Sequence, residues 1–199
     1  LTKPKIYLAG AITGATSAEA KDWRRDIAAR LAPHGIACIS PLRSEPAISG
    51  RYDLHYPDPC FGTPAAIVGK NFLDVQACDF VLANLPTPPE NGELESVIER
   101  MANLSNVVQG IVGPIDDDAA AIAADVGTLM RIARKGVQRS LGTVGEISWA
   151  HVLRKPCAIV SDDAFVRQHP FVTQQTAWQL DTLDDAVRLI VGLFADYAR

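Results

Sequence analysis

The stretch SLGTVGEISWAHVLRKPCAIV, residues 140–160, carries the alternation that decides the fold. It reads as a glycine turn after Ser140, a helix opening near Thr143, a stop at Lys155-Pro156 and a short buried strand, Cys157–Val160. Ile147, Trp149, Ala150 and Leu153 supply the helix's apolar positions. Glu146 is expected in the first turn of that helix, where a carboxylate complements the exposed N–H groups and the dipole. That structural role and a chemical one are both open at this point.

The same alternation runs upstream. Lys5–Gly10 (KIYLAG) is an apolar run closed by glycine and reads as a strand. After the loop AITGAT, a helix opens at Ser17 with Trp23, Ile27, Ala28 and Leu31 at helical spacing, and Pro33-His34-Gly35 stops it. Ile36–Ser40 is a second strand, which makes a right-handed parallel crossover. Residues 42–69, rich in proline and aromatics, read as an irregular pocket wall or lid, followed by a helix over Lys70–Cys78 and a third strand over Asp79–Leu85. Residues 90–139 read as an inserted helical hairpin. Trp178–Leu180 suits a short edge strand, and Thr182 caps a last helix with Val187, Ile190, Val191 and Phe194 on its apolar face. The expected fold is α/β, a single domain over 1–199 with an open, mostly parallel flavodoxin- or Rossmann-like sheet flanked by helices.

With 48% hydrophobic and 21% charged residues among 199, the chain is composed like a globular domain with a core of its own. A net charge of −4 without a Lys/Arg run points away from nucleic acid and from anionic membranes. No apolar run is long enough to span a bilayer, and no secretory leader is read at the start. Cys38, Cys60, Cys78 and Cys157 are scattered and form no CxxC pair, so free thiols in a reducing cytoplasm are expected, with no metal site. Gly10 and Gly14 fall short of a dinucleotide fingerprint and no P-loop lysine pattern occurs, so no nucleotide cofactor is expected.

An open parallel sheet brings Tyr7–Thr16, Pro41–Arg43, Leu85–Pro89 and Gly142–Glu146 to one edge. A carboxylate there, beside a tyrosine hydroxyl, suits attack on an anomeric carbon: its charge stabilises an oxocarbenium-like transition state, and a covalent ester divides one hard step into two. Asn71, Asp74, Asp79 and Ser140 are the polar candidates to assist the leaving group. Tyr7 and three of these four also have an ordinary reading. Tyr7 suits a buried, paired tyrosine, Asp79 a hydrogen-bond anchor at a strand start, Asp74 a solvated helix face, and Ser140 the residue before a turn.

KIYLAG, NFLDVQACDFVLANL and SLGTVGEISWA followed by KPCAIV together resemble the nucleoside 2-deoxyribosyltransferase superfamily, including its deoxynucleoside 5′-monophosphate N-glycosidases; SPLR at Ser40–Arg43 and HPF at His169–Phe171 are similar to segments of its bacterial and phage members. The resemblance leaves out residues 90–139. It implies that Glu146 is the nucleophile forming a covalent deoxyribosyl-enzyme and that Tyr7 orients it. Asn71 stands where the family usually has an aspartate that contacts or helps protonate the base, with Asp74 one turn on as a substitute. Ser140 stands where the glycosidases have a serine near the substrate phosphate, and Thr13, Thr16 or Arg43 would complete that site. Gly10, Asp79 and Gly142 line the same pocket in this reading, and His169 belongs to a late segment that completes a neighbouring subunit's pocket. The implied partner is a small-molecule nucleoside or nucleotide, and the implied assembly is a homo-oligomer of two or more copies.

Two other readings stay open. Gly142–Glu146 partly resembles the glycine-rich signature of cytokinin-activating phosphoribohydrolases, which would cleave a nucleoside monophosphate. A non-catalytic nucleotide-sensing module would use the same pocket for binding alone.

Overall fold

The structure, a computed structural model, describes residues 2–43, 52, 58, 60–87 and 140–194. Five parallel strands make one sheet: β1 (Lys5–Gly10), β2 (Ala37–Ile39), β3 (Phe80–Asn84), β4 (Cys157–Val160) and β5 (Trp178–Leu180), in the order β2-β1-β3-β4-β5. The order reverses between β1 and β3. In open parallel sheets the ligand crevice forms outside the carboxyl ends of the strands at such a switch point. The α/β class and the parallel, flavodoxin-like sheet expected from the sequence are therefore present.

The helices are α1 (Ser17–Leu31), α2 (Pro64–Ala77), α3 (Leu141–Val152), α4 (Ala164–Gln168), α5 (Pro170–Gln175) and α6 (Leu183–Phe194). Alternate side chains of β1 leave on opposite faces. Ile6 and Leu8 join Ile27 and Leu31 of α1 and Ala186 and Ile190 of α6. Tyr7 and Ala9 join Val75 of α2 and Ile147 and Ala150 of α3. Covered on both faces, the central strands are buried apolar runs, which is why KIYLAG and CAIV stand out in the sequence. α1 ends through a short 3-10 turn, Ala32–His34, and Gly35 takes the left-handed conformation (φ 73°) that releases the chain into β2.

Two expectations are corrected. α2 begins at Pro64, six residues before the expected start, because the Thr63 side chain caps Ala66 and proline at the first helical position is already set for the helix. α3 begins at Leu141, so Gly142 lies in its first turn rather than in a loop, and Glu146 falls in the second turn. The Ser140 hydroxyl, accepting from Thr143 N at 3.3 Å, starts the helix early. The hairpin expected over 90–139 and part of the loop expected over 42–69 lie outside the described residues.

Candidate active site

The buried stripe of α3 is Thr143, Glu146, Ile147 and Ala150. That is the spacing of a helix face packed on a sheet, and one of its four positions is a carboxylate. Glu146 is only 4% exposed. Because it lies past the first turn, the exposed N–H groups of the helix start do not account for it. Its bonds come from other elements. Tyr7 Oη, leaving β1 toward α3, donates to Glu146 Oε1 at 2.6 Å. Asn71 Nδ2, on α2, donates to the same oxygen at 3.1 Å. A ring contact between Phe72 and Trp149 (centroids 5.5 Å apart) holds α2 against α3 where this bond forms. Among the described residues, both donors converge on Oε1 and none bonds Oε2.

Burial pushes the Glu146 carboxyl up to about 7, against the opposing pull of the Tyr7 hydrogen bond, the Arg24 charge, the Asn71 hydrogen bond and the Lys70 charge. The Tyr7 hydroxyl is driven well above its ordinary value, first by burial and then by Glu146, so it stays protonated and acts as a donor.

Arg24 was not singled out from the sequence, yet it is central to this electrostatics. It is 2% exposed, in the α1 stripe Ala20, Arg24, Ile27 and Leu31. Its Nε donates to the Leu8 carbonyl at 3.1 Å, Nη2 to the Gly10 carbonyl at 2.9 Å, and Nη1 to the Ala20 carbonyl. β2 pairs β1 only as far as Tyr7, so Arg24 takes over the Leu8 and Gly10 carbonyls beyond the end of that strand. The guanidinium also stacks on Trp23, 4.5 Å from the ring centroid. Burial lowers Arg24 to about 10, which leaves it charged at neutral pH.

Asp74 and Arg43 form an ion pair one turn along α2 from Asn71, and Lys70 donates to the Pro41 carbonyl. Pro41 and Arg43 belong to the segment that leaves β2, so this part of α2 sits at the carboxyl edge of the sheet. The structure thus brings together Tyr7, Asn71 and Glu146, with the Asp74–Arg43 pair next along α2. Tyr52 Oη and Asn71 Oδ1 are the buried side-chain atoms without a hydrogen-bond partner among the described residues.

The other candidates do not bond to that group. Gly10 closes β1 under Trp23: a Cβ there would meet Trp23 Cζ2 at 2.8 Å, so its role is close packing. Thr13 bridges Tyr52, and the Thr16 hydroxyl caps Glu19 in a reciprocal capping box. Asp79 lies at the opposite, amino edge of the sheet, where Oδ2 accepts from Lys5 N at 2.8 Å; it is the strand-start anchor, away from Glu146. Ser140 caps α3 and also accepts from Thr143 Oγ1 at 2.8 Å. Gly142 stands exposed in the first turn of α3. His169 precedes α5 with its ring between Phe165 and Phe171. The four cysteines are free. Among the described residues, no group of three His, Cys, Asp or Glu side chains is placed to hold a metal ion, and no helix is long and apolar enough to cross a membrane.

The sequence matches no protein-family model and no curated protein. Among solved structures, the chain is similar to a 2-deoxyribosyltransferase. That protein, from Bacillus psychrosaccharolyticus, shares 13% identity over 92% of this chain and 90% of its own, with a TM-score of 0.49. A CMP N-glycosidase from Clostridium botulinum shares 13% identity over 94% of this chain and 96% of its own, with a TM-score of 0.43. A molybdenum cofactor binding protein from Rippkaea orientalis reaches 14% identity, 96% and 98% coverage and a TM-score of 0.48. Likeness at this level leaves the activity to be read from the residues themselves.

Proposed function

We propose that this chain breaks the N-glycosidic bond of a nucleoside or its 5′-monophosphate, or transfers the sugar to a second base, with Glu146 as nucleophile. The observation that carries the reading is the asymmetry of the Glu146 carboxylate: both described donors hold Oε1, and Oε2 has none. A carboxylate held by one oxygen presents the other in a fixed direction, which is what attack on an anomeric carbon needs.

In the proposed step an Oε2 lone pair bonds to C1′ of the sugar. The C1′–N bond breaks, its electron pair stays with the base nitrogen, and the base takes up a proton from water. The sugar is then held as an ester of Glu146. Water, or the N–H nitrogen of a second base, attacks C1′, the ester oxygen leaves with its electron pair to restore the carboxylate, and the attacking group's proton passes to the hydroxide left by the first half. The Tyr7 and Asn71 donors keep Oε1 in place through both halves. Asp74, paired with Arg43, stands beside this group.

Incubating the protein with ribo- and 2′-deoxyribonucleosides and their 5′-monophosphates, with and without a second free base, tests the reading by chromatography of the bases. Base release is expected, and exchange with the added base distinguishes transfer from hydrolysis. Neither release nor exchange with any of these compounds overturns it.

A further inference from the structure

We infer that Asn71 reads the sugar: its side-chain oxygen accepts a hydrogen bond from a substrate 2′-hydroxyl, so the preferred substrate is a ribonucleoside or ribonucleotide rather than the 2′-deoxy form. The inference rests on Glu146 being the attacking carboxylate and adds the identity of the sugar to that reading.

The argument starts from the orientation of the amide. Asn71 Nδ2 is bonded to Glu146 Oε1 at 3.1 Å, and the reverse orientation would set the amide oxygen against an ionised carboxylate oxygen. Oδ1 is therefore fixed as the acceptor end of the same side chain. It is buried and has no hydrogen-bond partner among the described residues. Buried polar atoms are nearly always paired, so an orphan next to a reacting group points to a bond completed by the substrate.

Stereochemistry selects which substrate group completes it. In a β-nucleoside the base stands on one face of the sugar and the 2′-hydroxyl on the other. A nucleophile that displaces the base in line approaches from the 2′-hydroxyl's face. The ring oxygen beside C1′ carries no hydrogen, and the base is on the far side. The 2′-hydroxyl, on the carbon next to the one attacked, is the nearest donor to an amide bonded to the nucleophile itself. As positive charge builds at C1′, that hydroxyl becomes a stronger donor, so the bond tightens in the transition state. A 2′-deoxy substrate leaves Oδ1 unpaired, and sites built for a hydroxyl discriminate against analogues that lack it. The inferred sugar is thus ribosyl, where the sequence resemblance implies a 2′-deoxyribosyl one.

The test compares kcat/KM for adenosine with 2′-deoxyadenosine and for cytidine 5′-monophosphate with its 2′-deoxy form, in the wild type, Asn71→Leu and Asn71→Ala. Because the two sugars differ in intrinsic lability, the measure is the change in the ribo-to-deoxy ratio. The ratio is expected to fall by about tenfold or more in both variants, the loss of one hydroxyl–acceptor bond. A ratio that does not change, with both sugars slowed alike, makes Asn71 a support for Glu146 only and overturns the inference. If no base is released from any compound, the nucleophile reading fails separately. The same pairs are then compared by calorimetric binding to the unreacting protein. Tighter ribonucleoside binding that disappears in the variants sustains the assignment of Asn71; equal binding, or none, overturns it.

Discussion

The two faces of the sheet share β1 and differ in what that strand sends to each. Toward α1 and α6 go Ile6 and Leu8, and the layer they enter is closed by Ile27, Leu31, Ala186 and Ile190. Toward α2 and α3 goes Tyr7, whose hydroxyl meets a buried carboxylate. The one buried charge on the first side among the described residues, Arg24, completes the backbone bonding that β2 is too short to supply. Glu146 completes nothing structural: two neutral donors hold it, and among the described residues no cation bonds it directly. Leaving a carboxylate poorly solvated costs stability. One face is thus built for stability, and the other gives some up to keep an ionisable group near neutrality.

The largest test of that contrast is Glu146→Gln, which keeps the shape and an oxygen for both donors but removes the charge. Base release is expected to fall by about 10³-fold or more. Stability is expected to move the other way. The folded value of about 7 stands above the ordinary 4.5, so between these pH values the folded chain holds a proton that the unfolded chain has released. The stability this gives is fully present below the unfolded value and is lost as pH rises through the folded one. Chemical denaturation should therefore find the variant more stable than wild type at pH 8, on the order of 3 kcal/mol, with the gap closing below about pH 4.5. For the wild type, kcat/KM should rise with pH through an acid limb near 7, since only the ionised carboxylate attacks.

Tyr7→Phe removes the hydrogen bond that most lowers the Glu146 value. The acid limb should move above pH 7, and kcat/KM at neutral pH should fall by about tenfold to a hundredfold, the worth of a bond to a charged group. Arg24→Met acts from the other face. Loss of its charge should also move the limb upward, by less than Tyr7→Phe. The Leu8 and Gly10 carbonyls lose their donor, so denaturation should show a loss of roughly 2 kcal/mol or more.

Much of the fold is legible in the chain, for a physical reason. Strands buried on both faces must be continuous apolar runs, so Lys5–Gly10 and Cys157–Val160 can be bounded by eye. The helix starts are harder. Pro64 and Gly142 look like loop residues, but each lies just after a capping hydroxyl, Thr63 or Ser140, that turns the chain into a helix. Arg24 escapes notice because arginines on amphipathic helices are usually solvated. Its signal is register, since it shares a stripe with Ala20, Ile27 and Leu31. The contact between Asn71 and Glu146 joins residues 75 apart and depends on α2 lying against α3, which no local pattern encodes.

The smallest expected effect lies outside the site. Arg154, just past α3, holds a left-handed backbone at φ 56° that an L side chain adopts at a cost. Arg154→Gly should stabilise the fold by about 1 kcal/mol and leave the rate unchanged, separating the scaffold from the chemistry.

Mass spectrometry of protein quenched during turnover tests the role of Glu146 most directly. The expected result is a sugar adduct on the peptide carrying Glu146, absent from Glu146→Gln. An adduct on a different residue, or undiminished base release by Glu146→Gln, would contradict it.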